Sequence, residues 1–276
     1  MVASEMMGRA VWDGGDGGKG VIRQTVRGVL AGRCAGFYTR GMLKAVLFDF
    51  DGVLVDTEPI HYRAMVRTMA SLGAAPSYAD YVQRLAGYDE YDCFRLLLQH
   101  DCGRPDLAGD GSCVSALCEK KREIFSTVVT QGVDLVPGAK TLVNALSDRV
   151  ALAIASGGLR RDIDLILGAI GMQRQFLTIV SVDDVARPKP DPQTYDLVCQ
   201  RLARLRPQLD LTPGACLAIE DTAAGIASAN AAGMMTLGVA TTSSPRQLSE
   251  ASHVVDGLEG IDIEQLERWF GEAAPG

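Results

Sequence analysis

The amino-acid sequence predicts an α/β protein: a doubly wound parallel sheet into which a separate helical domain is inserted. Three observations support this fold class. Apolar runs of strand length recur along the chain, helix-like stretches lie between them, and one connection of 80 residues (58 to 137) is far longer than a crossover between parallel strands requires. With 276 residues, 47% of them hydrophobic, the chain can bury a large core.

The predicted strands are near-continuous apolar runs that do not alternate between apolar and polar residues. They are KAVLF (44–48), VALAIA (150–155), TIVS (178–181), ACLAIE (215–220) and MTLGVA (235–240). Continuous apolar character is typical of parallel strands covered on both faces. Helices are expected at 138–148, 160–170, 192–205 and 223–233. This alternation indicates right-handed crossovers, and ligands of such sheets bind at the carboxyl ends of the strands.

The long connection is predicted to form a helical cap domain. Pro59 suits the first turn of a helix, and one stripe of that helix carries His61, Met65, Met69 and Leu72. Further helical runs are expected at 77–86, 90–100 and 113–130. We therefore predict a core domain of residues 42–57 and 138–276 and a cap domain of residues 58–137. The cap leaves and rejoins the core beside the proposed site, where a lid would lie.

Residues 1–41 are predicted to be an extension outside the folded unit. Six of the first twenty residues are glycine, and the remainder is basic and poor in acidic residues. Three interpretations stay open: a disordered tail, a start upstream of the true one at Met42, or a targeting peptide. The last is least favoured, because the segment has no secretory apolar region and little serine.

Composition excludes several classes of partner. A net charge of −7 and a pI near 5.1 argue against nucleic acid or an anionic membrane surface as a partner, and no segment approaches the roughly 18 apolar residues of a membrane span. Seven cysteines without a CxxC motif indicate a reduced compartment, so we expect a cytoplasmic location. We also expect a monomer. With only three histidines, any metal site should use oxygen ligands.

Chemically useful side chains follow the predicted strands where each one ends. The set consists of Asp49 and Asp51, then Ser156, Gly157 and Gly158, then Lys189 between two prolines, and finally Glu220 and Asp221. Four carboxylates at one sheet edge repel each other unless a cation lies between them, and Mg²⁺ is the hard cation that prefers such ligands. The serine hydroxyl and the bare glycine amides can hold a phosphate.

This constellation suits phosphoryl transfer. Asp49 could attack phosphorus to form an aspartyl-phosphate, while Asp51 could protonate the leaving oxygen and then activate water. Lys189, Ser156 and Mg²⁺ would neutralise the charge that develops on phosphate. We therefore expect an enzyme that binds a small phosphorylated molecule.

The motifs DFDGVLVDTE, IASGG, RPKPDP and IEDTAAG, in this order, resemble the four motifs of the haloacid dehalogenase superfamily over Met42 to about residue 256. The insertion point resembles the helical-cap subfamily that includes β-phosphoglucomutase and phosphoglycolate phosphatase. The resemblance implies Asp49 as nucleophile, Asp51 as acid and base, Ser156 as phosphate ligand and Lys189 as a bridge to phosphate. It also implies that magnesium is held by Asp49, the backbone carbonyl of Asp51, Asp221 and, directly or through water, Glu220.

Two of these positions have an alternative. Glu220 could instead have a structural role. His61 matches a position that contacts the acid/base aspartate in the mutase-like proteins, or it could pack against the core.

The cap loop RLAGYDEYDCF, which contains Gly87, resembles the mutase loop that presents basic residues to a second phosphate. Ala86 and Glu90 occupy the positions of that lysine and arginine, and Arg160 could place a positive charge near the phosphate. We therefore favour a phosphatase of a sugar phosphate or similar metabolite, with a mutase as the alternative. A dehalogenase would need neither Asp51 nor a metal, and a catalytically silent protein would be expected to have lost a motif residue.

Overall fold

The computed structural model describes residues 42–85 and 88–273. Within them the chain forms these strands: β1 (Ala45–Phe48), β2 (Val55–Asp56), β3 (Asp134–Leu135), β4 (Ala151–Ala155), β5 (Thr178–Val180), β6 (Cys216–Glu220), β7 (Met235–Val239) and β8 (His253–Val255). Six of the strands form one parallel sheet in the order β5-β4-β1-β6-β7-β8. This sheet confirms the predicted fold class. The prediction did not include β8, because it is short and only partly buried.

The helices of the described residues alternate with these strands in the core and are consecutive in the insertion. They are α1 (Glu58–Met69), α2 (Tyr78–Arg84), α3 (Glu90–Leu96), α4 (Pro105–Ala108), α5 (Gly111–Thr130), α6 (Ala139–Leu146), α7 (Arg160–Ile170), α8 (Gln193–Leu205), α9 (Ala223–Ala231) and α10 (Ile263–Ala273). A π-helical turn at Leu97–Asp101 continues α3. The short α4 and the C-terminal α10 were not predicted from the sequence.

The central strand β1 is buried on both faces. Val46 and Phe48 belong to a hydrophobic cluster with α6, α7 and α10, whereas Ala45 and Leu47 belong to a second cluster with α8 and α9. Successive side chains of a strand point to opposite faces, so a strand covered on both sides must be apolar throughout. This explains the uninterrupted apolar run in the sequence.

The insertion leaves the core after β2 and returns through β3. These two short strands pair antiparallel, with Val55 opposite Leu135, so the two connecting segments lie side by side. A third hydrophobic cluster, which includes Met65, Met69 and Phe94, fills the space between the inserted helices. The apolar residues of α1 that face the core, together with Phe125 of α5, join the main core cluster instead.

Two sets of sequence predictions lie outside the described residues. These are the interpretations of residues 1–41 and the assignment of Gly87 to substrate binding. Among the helices that the structure describes, none has the length and apolar character needed to cross a membrane.

Candidate active site

Three buried carboxylates meet at the carboxyl edge of the sheet. Asp49 directly follows β1, and its backbone N–H donates to the carbonyl of Ile219 at 2.9 Å, which extends the β1–β6 ladder by one residue. Glu220 ends β6 and Asp221 follows it. The carboxylate oxygens of Asp49, Glu220 and Asp221 lie within 4.8 Å of one another. The order of the strands, with β1 next to β6, therefore brings together residues that are distant in the chain.

Lys189 joins this cluster through all three of its N–H donors. Its Nζ donates to Asp49 Oδ1 at 2.6 Å, to Glu220 Oε1 at 2.5 Å and to the backbone carbonyl of Ala155 at 2.7 Å. Burial disfavours the ammonium ion, but the charges of Asp49 and Glu220 outweigh burial and raise the pKa of Lys189. Lys189 is therefore a permanent cation at neutral pH, and its peptide bond to Pro190 is cis.

Glu220 is held in a fixed orientation. Its Oε1 also accepts a hydrogen bond from the Tyr195 hydroxyl at 2.6 Å, and its Oε2 accepts one from Thr222 at 3.3 Å. A Cβ atom at Gly225 would lie 1.9 Å from Glu220 Oε2, so α9 can approach the carboxylate this closely only with glycine there. Such contacts suit the structural role considered for Glu220, because the carboxylate positions Lys189.

Asp49 and Asp221 are both harder to ionise than ordinary aspartates. Burial raises the pKa of Asp49 well above its usual value, Lys189 lowers it, and the neighbouring carboxylates raise it further. Burial also raises the pKa of Asp221 to about 6, although a hydrogen bond with Thr242 opposes this shift. Two buried anions at this spacing favour a cation between them.

A divalent metal fits this donor set. Asp221 Oδ1 is buried and has no hydrogen-bond partner within the described part of the chain. An orphaned carboxylate oxygen that is buried beside two further carboxylates is costly unless a cation binds it. The turn after β1 approaches Asp221 closely. Gly52 in this turn has φ +75°, and a Cβ there would lie 1.9 Å from Asp221 Oδ2. The residues present therefore match the oxygen ligands that Mg²⁺ prefers.

Asp51 is not part of this cluster of three carboxylates and has a hydrogen-bond partner of its own. The Thr57 hydroxyl donates to Asp51 Oδ1 at 2.5 Å. Burial raises the pKa of Asp51, and this hydrogen bond limits the shift. Thr57 immediately precedes α1, so the first residue of the hinge into the cap orients the proposed acid and base.

The Ser156–Gly158 loop adjoins Asp51. Ser156 is buried, and its Oγ accepts a hydrogen bond from the backbone N–H of Gly158 at 2.9 Å, which leaves the hydroxyl hydrogen available to donate. A Cβ at Gly158 would lie 3.2 Å from Asp51 Oδ2, whereas Gly157 faces open space. The loop therefore places the Ser156 hydroxyl and the backbone amide of Gly157 near Asp51.

The structure does not bring His61 and Arg160 into this group. The ring of His61 stacks on Phe125 with a centroid distance of 4.8 Å, and its Nδ1 lies 3.2 Å from Lys121 Nζ. Arg160 pairs with Asp164 at 2.9 Å, one turn further along α7, so its charge is already compensated. The i,i+4 spacing of these two residues was a sequence signal for that pair.

Three contacts of the site were not found from the sequence: the hydrogen bonds of Thr57, Tyr195 and Thr242. Thr57 lies inside the first motif, so its proximity to Asp51 was a usable signal. Nothing local marks Tyr195 or Thr242, because each reaches the site from a separate element.

The fold and the site define an α/β enzyme with a helical insertion and a buried carboxylate–lysine centre at the end of its sheet. The model of the haloacid dehalogenase-like hydrolase family matches residues 43–233, and the chain belongs to this family. Among similar proteins, CbbY of Rhodobacter capsulatus is 32% identical over 70% of this chain and 83% of its own length.

Two further relatives also match most of this chain. The phosphorylated carbohydrates phosphatase of Thermotoga maritima is 30% identical over 70% of this chain and 82% of its own length. A variant of CbbY from Rhodobacter sphaeroides, solved in complex with xylulose-(1,5)bisphosphate, has 25% identity and a TM-score of 0.66 over 82% of this chain and 100% of that one. The family named from the sequence motifs is thereby confirmed.

Proposed function

We propose that this protein is a magnesium-dependent phosphatase that hydrolyses a small phosphorylated metabolite, a sugar phosphate or a similar compound, through an aspartyl-phosphate intermediate. The observation that carries the proposal is the position of Lys189, which contacts Asp49 and Glu220 beside the Ser156 loop. In a member of a hydrolase family, a buried carboxylate next to a fixed cation and bare amides suits an attack on phosphorus. The names of the relatives support the same substrate class.

In the first step, a carboxylate oxygen of Asp49 forms a bond to phosphorus, and the bond between phosphorus and the ester oxygen breaks. Burial raises the pKa of Asp49, and the positive charge of Lys189 opposes this rise and so favours the ionised carboxylate that attacks. Asp51 donates its proton to the leaving oxygen. The raised pKa of Asp51 keeps a larger fraction of this carboxyl in the protonated form that can donate, and the Thr57 hydrogen bond orients it.

In the second step, a water molecule attacks the phosphorus of the aspartyl-phosphate. Asp51, now ionised, accepts the proton of this water, and the acyl–phosphate bond breaks to release inorganic phosphate and regenerate Asp49. The Ser156 hydroxyl and the backbone amide of Gly157 bind the phosphate oxygens in both steps. Lys189, in the segment between β5 and α8, stabilises the charge on the same oxygens.

Asp49, the backbone carbonyl of Asp51 and Asp221 would hold Mg²⁺, with Glu220 acting directly or through water. Bound there, the ion supplies positive charge that offsets repulsion between the carboxylates and the phosphate. The unpartnered Oδ1 of Asp221 supports this assignment. Because Glu220 already contacts Lys189 and Tyr195, we favour contact through water for this residue.

The test is the release of inorganic phosphate from a panel of phosphorylated sugars, polyols and phosphoglycolate in the presence of Mg²⁺. We expect turnover in the wild type and a loss of at least a hundredfold in Asp49→Asn, because the neutral amide is a poor nucleophile. β-Glucose 1-phosphate is followed in parallel for glucose 6-phosphate. Isomerisation without phosphate release would make the protein a mutase, and wild-type rates in Asp49→Ala would contradict the covalent mechanism.

A further inference from the structure

A second polar cluster lies in the cap and consists of the partly buried Glu90, the buried Lys121 and the partly buried His61. Lys121 Nζ donates to Glu90 Oε2 at 3.1 Å and lies 3.2 Å from His61 Nδ1. Burial and the neighbouring Lys121 lower the pKa of His61 to about 3. The imidazole is therefore neutral at physiological pH, and its Nδ1 can accept a hydrogen bond from Lys121. The three residues come from α3, α5 and α1, so the packing of the cap creates this cluster.

One member of this cap cluster, His61, lies on the helix that begins beside the proposed active site. His61 is one helical turn beyond Thr57, whose hydroxyl contacts Asp51. The charges of Lys121 and Glu90 both act on the carboxyl of Asp162 in α7, and the charge of Asp162 in turn acts on Asp51. The position of His61 on α1 puts the cluster in the part of the cap that begins beside Asp51, where we expect the leaving group of the substrate to lie.

The neighbouring groove indicates the same orientation. Arg122, the next residue of α5, lines a groove of about 520 Å³ together with Leu159 and Arg160, which directly follow the phosphate-binding loop. At this point α5 therefore faces the core next to Ser156 and its glycines.

Glu90 has one carboxylate oxygen that is an unused hydrogen-bond acceptor within the described part of the chain. Its Oε2 accepts from Lys121, but its Oε1 is buried and has no hydrogen-bond partner among the described residues. A buried carboxylate oxygen without a donor is unfavourable, and the group that satisfies it must carry an O–H or N–H. Glu90 thus provides an acceptor, and it does so at a position where the resembling mutase loop has a basic residue.

We propose that Glu90 Oε1 accepts a hydrogen bond from a hydroxyl group of the substrate's leaving group, so that the cap cluster selects polyhydroxylated monophosphates over bisphosphates. This inference rests on the proposed phosphatase function. Lys121 does not offer a free positive charge to a second phosphate, because Glu90 compensates it at 3.1 Å. A second phosphate group at this place would instead meet the carboxylate of Glu90, and like charges repel.

The experiment compares kcat/KM for three kinds of probe. Glucose 6-phosphate, ribitol 5-phosphate and glycerol 3-phosphate carry hydroxyl groups, the 1,6-bisphosphate of glucose carries a second phosphate, and p-nitrophenyl phosphate has a leaving group without a hydroxyl. The variants are Glu90→Gln, which removes the charge, and Glu90→Asp, which keeps the charge but withdraws it by one methylene group. Glu119→Gln, on an exposed position of α5, is the matched control.

We expect the wild type to prefer the best hydroxylated monophosphate over the bisphosphate by at least tenfold. Glu90→Gln should lower the ratio of hydroxylated monophosphate to p-nitrophenyl phosphate turnover by about tenfold to a hundredfold, the loss of one hydrogen bond to a charged group. It should also weaken the discrimination against the bisphosphate. Glu90→Asp should lower the first ratio and retain the discrimination, while Glu119→Gln should change neither.

Two results would overturn the inference while leaving the phosphatase function intact. One is a wild type that hydrolyses the bisphosphate as well as the monophosphates. The other is a set of Glu90 variants in which turnover of every probe falls by the same factor, which is the behaviour of a purely structural ion pair. An enzyme that releases phosphate from none of the probes would contradict the proposed function itself.

Discussion

Replacing Lys189 by methionine should be the most disruptive single change at the site that leaves its volume nearly intact. Methionine keeps an unbranched side chain of similar length, so little cavity is created, but it removes the ammonium ion from between Asp49 and Glu220. Both carboxylates are buried, and the Lys189 side chain is only 10% exposed. The substitution therefore leaves two buried carboxylates without the cation that compensates them.

The size of the effect follows from these contacts. Removing one partner of a buried ion pair costs about 3–5 kcal/mol, because the remaining charge stays desolvated. The carbonyl of Ala155 also loses its hydrogen bond from Lys189. Part of that cost is already contained in the range of about 3–5 kcal/mol. Against a typical total stability of about 5–15 kcal/mol, the variant should remain folded but with a much lower free energy of unfolding.

The assay is urea-induced unfolding of the wild type and Lys189→Met at pH 8 in EDTA, so that bound metal does not replace the missing charge. Lys140→Met, at an exposed position of α6, is the control and should shift stability by no more than about 0.5 kcal/mol. Phosphatase turnover of Lys189→Met should fall by about a hundredfold or more, as for other groups that stabilise developing charge. A stability loss below about 1 kcal/mol would refute the conclusion that Lys189 compensates both carboxylates.

Three further predictions follow from other contacts. His61→Gln should reduce the acid sensitivity of folding. The pKa of His61 is about 3 in the folded protein and about 6.5 in the unfolded protein, so the unfolded state binds the proton more readily. The wild type therefore loses stability as the pH falls below about 6.5, and the loss reaches about 2 kcal/mol at pH 5. Urea unfolding at pH 7.5 and pH 5 measures this, and an equal loss in wild type and variant would contradict the buried neutral histidine. Gly225→Ala should destabilise the protein strongly, because its Cβ would lie 1.9 Å from Glu220 Oε2. The control is Gly271→Ala in α10, which has open space around it and should raise the melting temperature. Equal effects of the two substitutions would show that α9 can move away from Glu220. Mg²⁺ at about 100 times its Kd should stabilise the wild type by about 2.7 kcal/mol in thermal unfolding, and Asp221→Asn should remove this effect. Full activity in EDTA would exclude the metal assignment.

Local signals in the sequence were sufficient for much of the fold. The predicted helix at 192–205 corresponds to α8 (Gln193–Leu205), and the predicted strand at 215–220 corresponds to β6 (Cys216–Glu220). Both have strong, continuous signals: an Asp-Pro start for the helix and an apolar run for the strand. Among the elements that were missed, α4 and β8 have four and three residues, and such short segments bury too little surface to leave a pattern. The longer α10 was also missed, although its apolar residues Ile263, Leu266 and Phe270 recur at helical spacing.

The sequence alone determined which residues lie at the carboxyl ends of the parallel strands, and it therefore grouped Asp49, Asp51, Ser156 and Asp221 at one edge. Apolar runs, prolines and glycines act over a few residues, so their effect is legible in the chain itself. Only the tertiary structure decided the partners of these side chains. Tyr195 reaches Glu220, and Lys121 pairs with Glu90, because separate helices pack at particular angles. Such contacts depend on the relative orientation of elements distant in sequence, and no local pattern encodes that orientation.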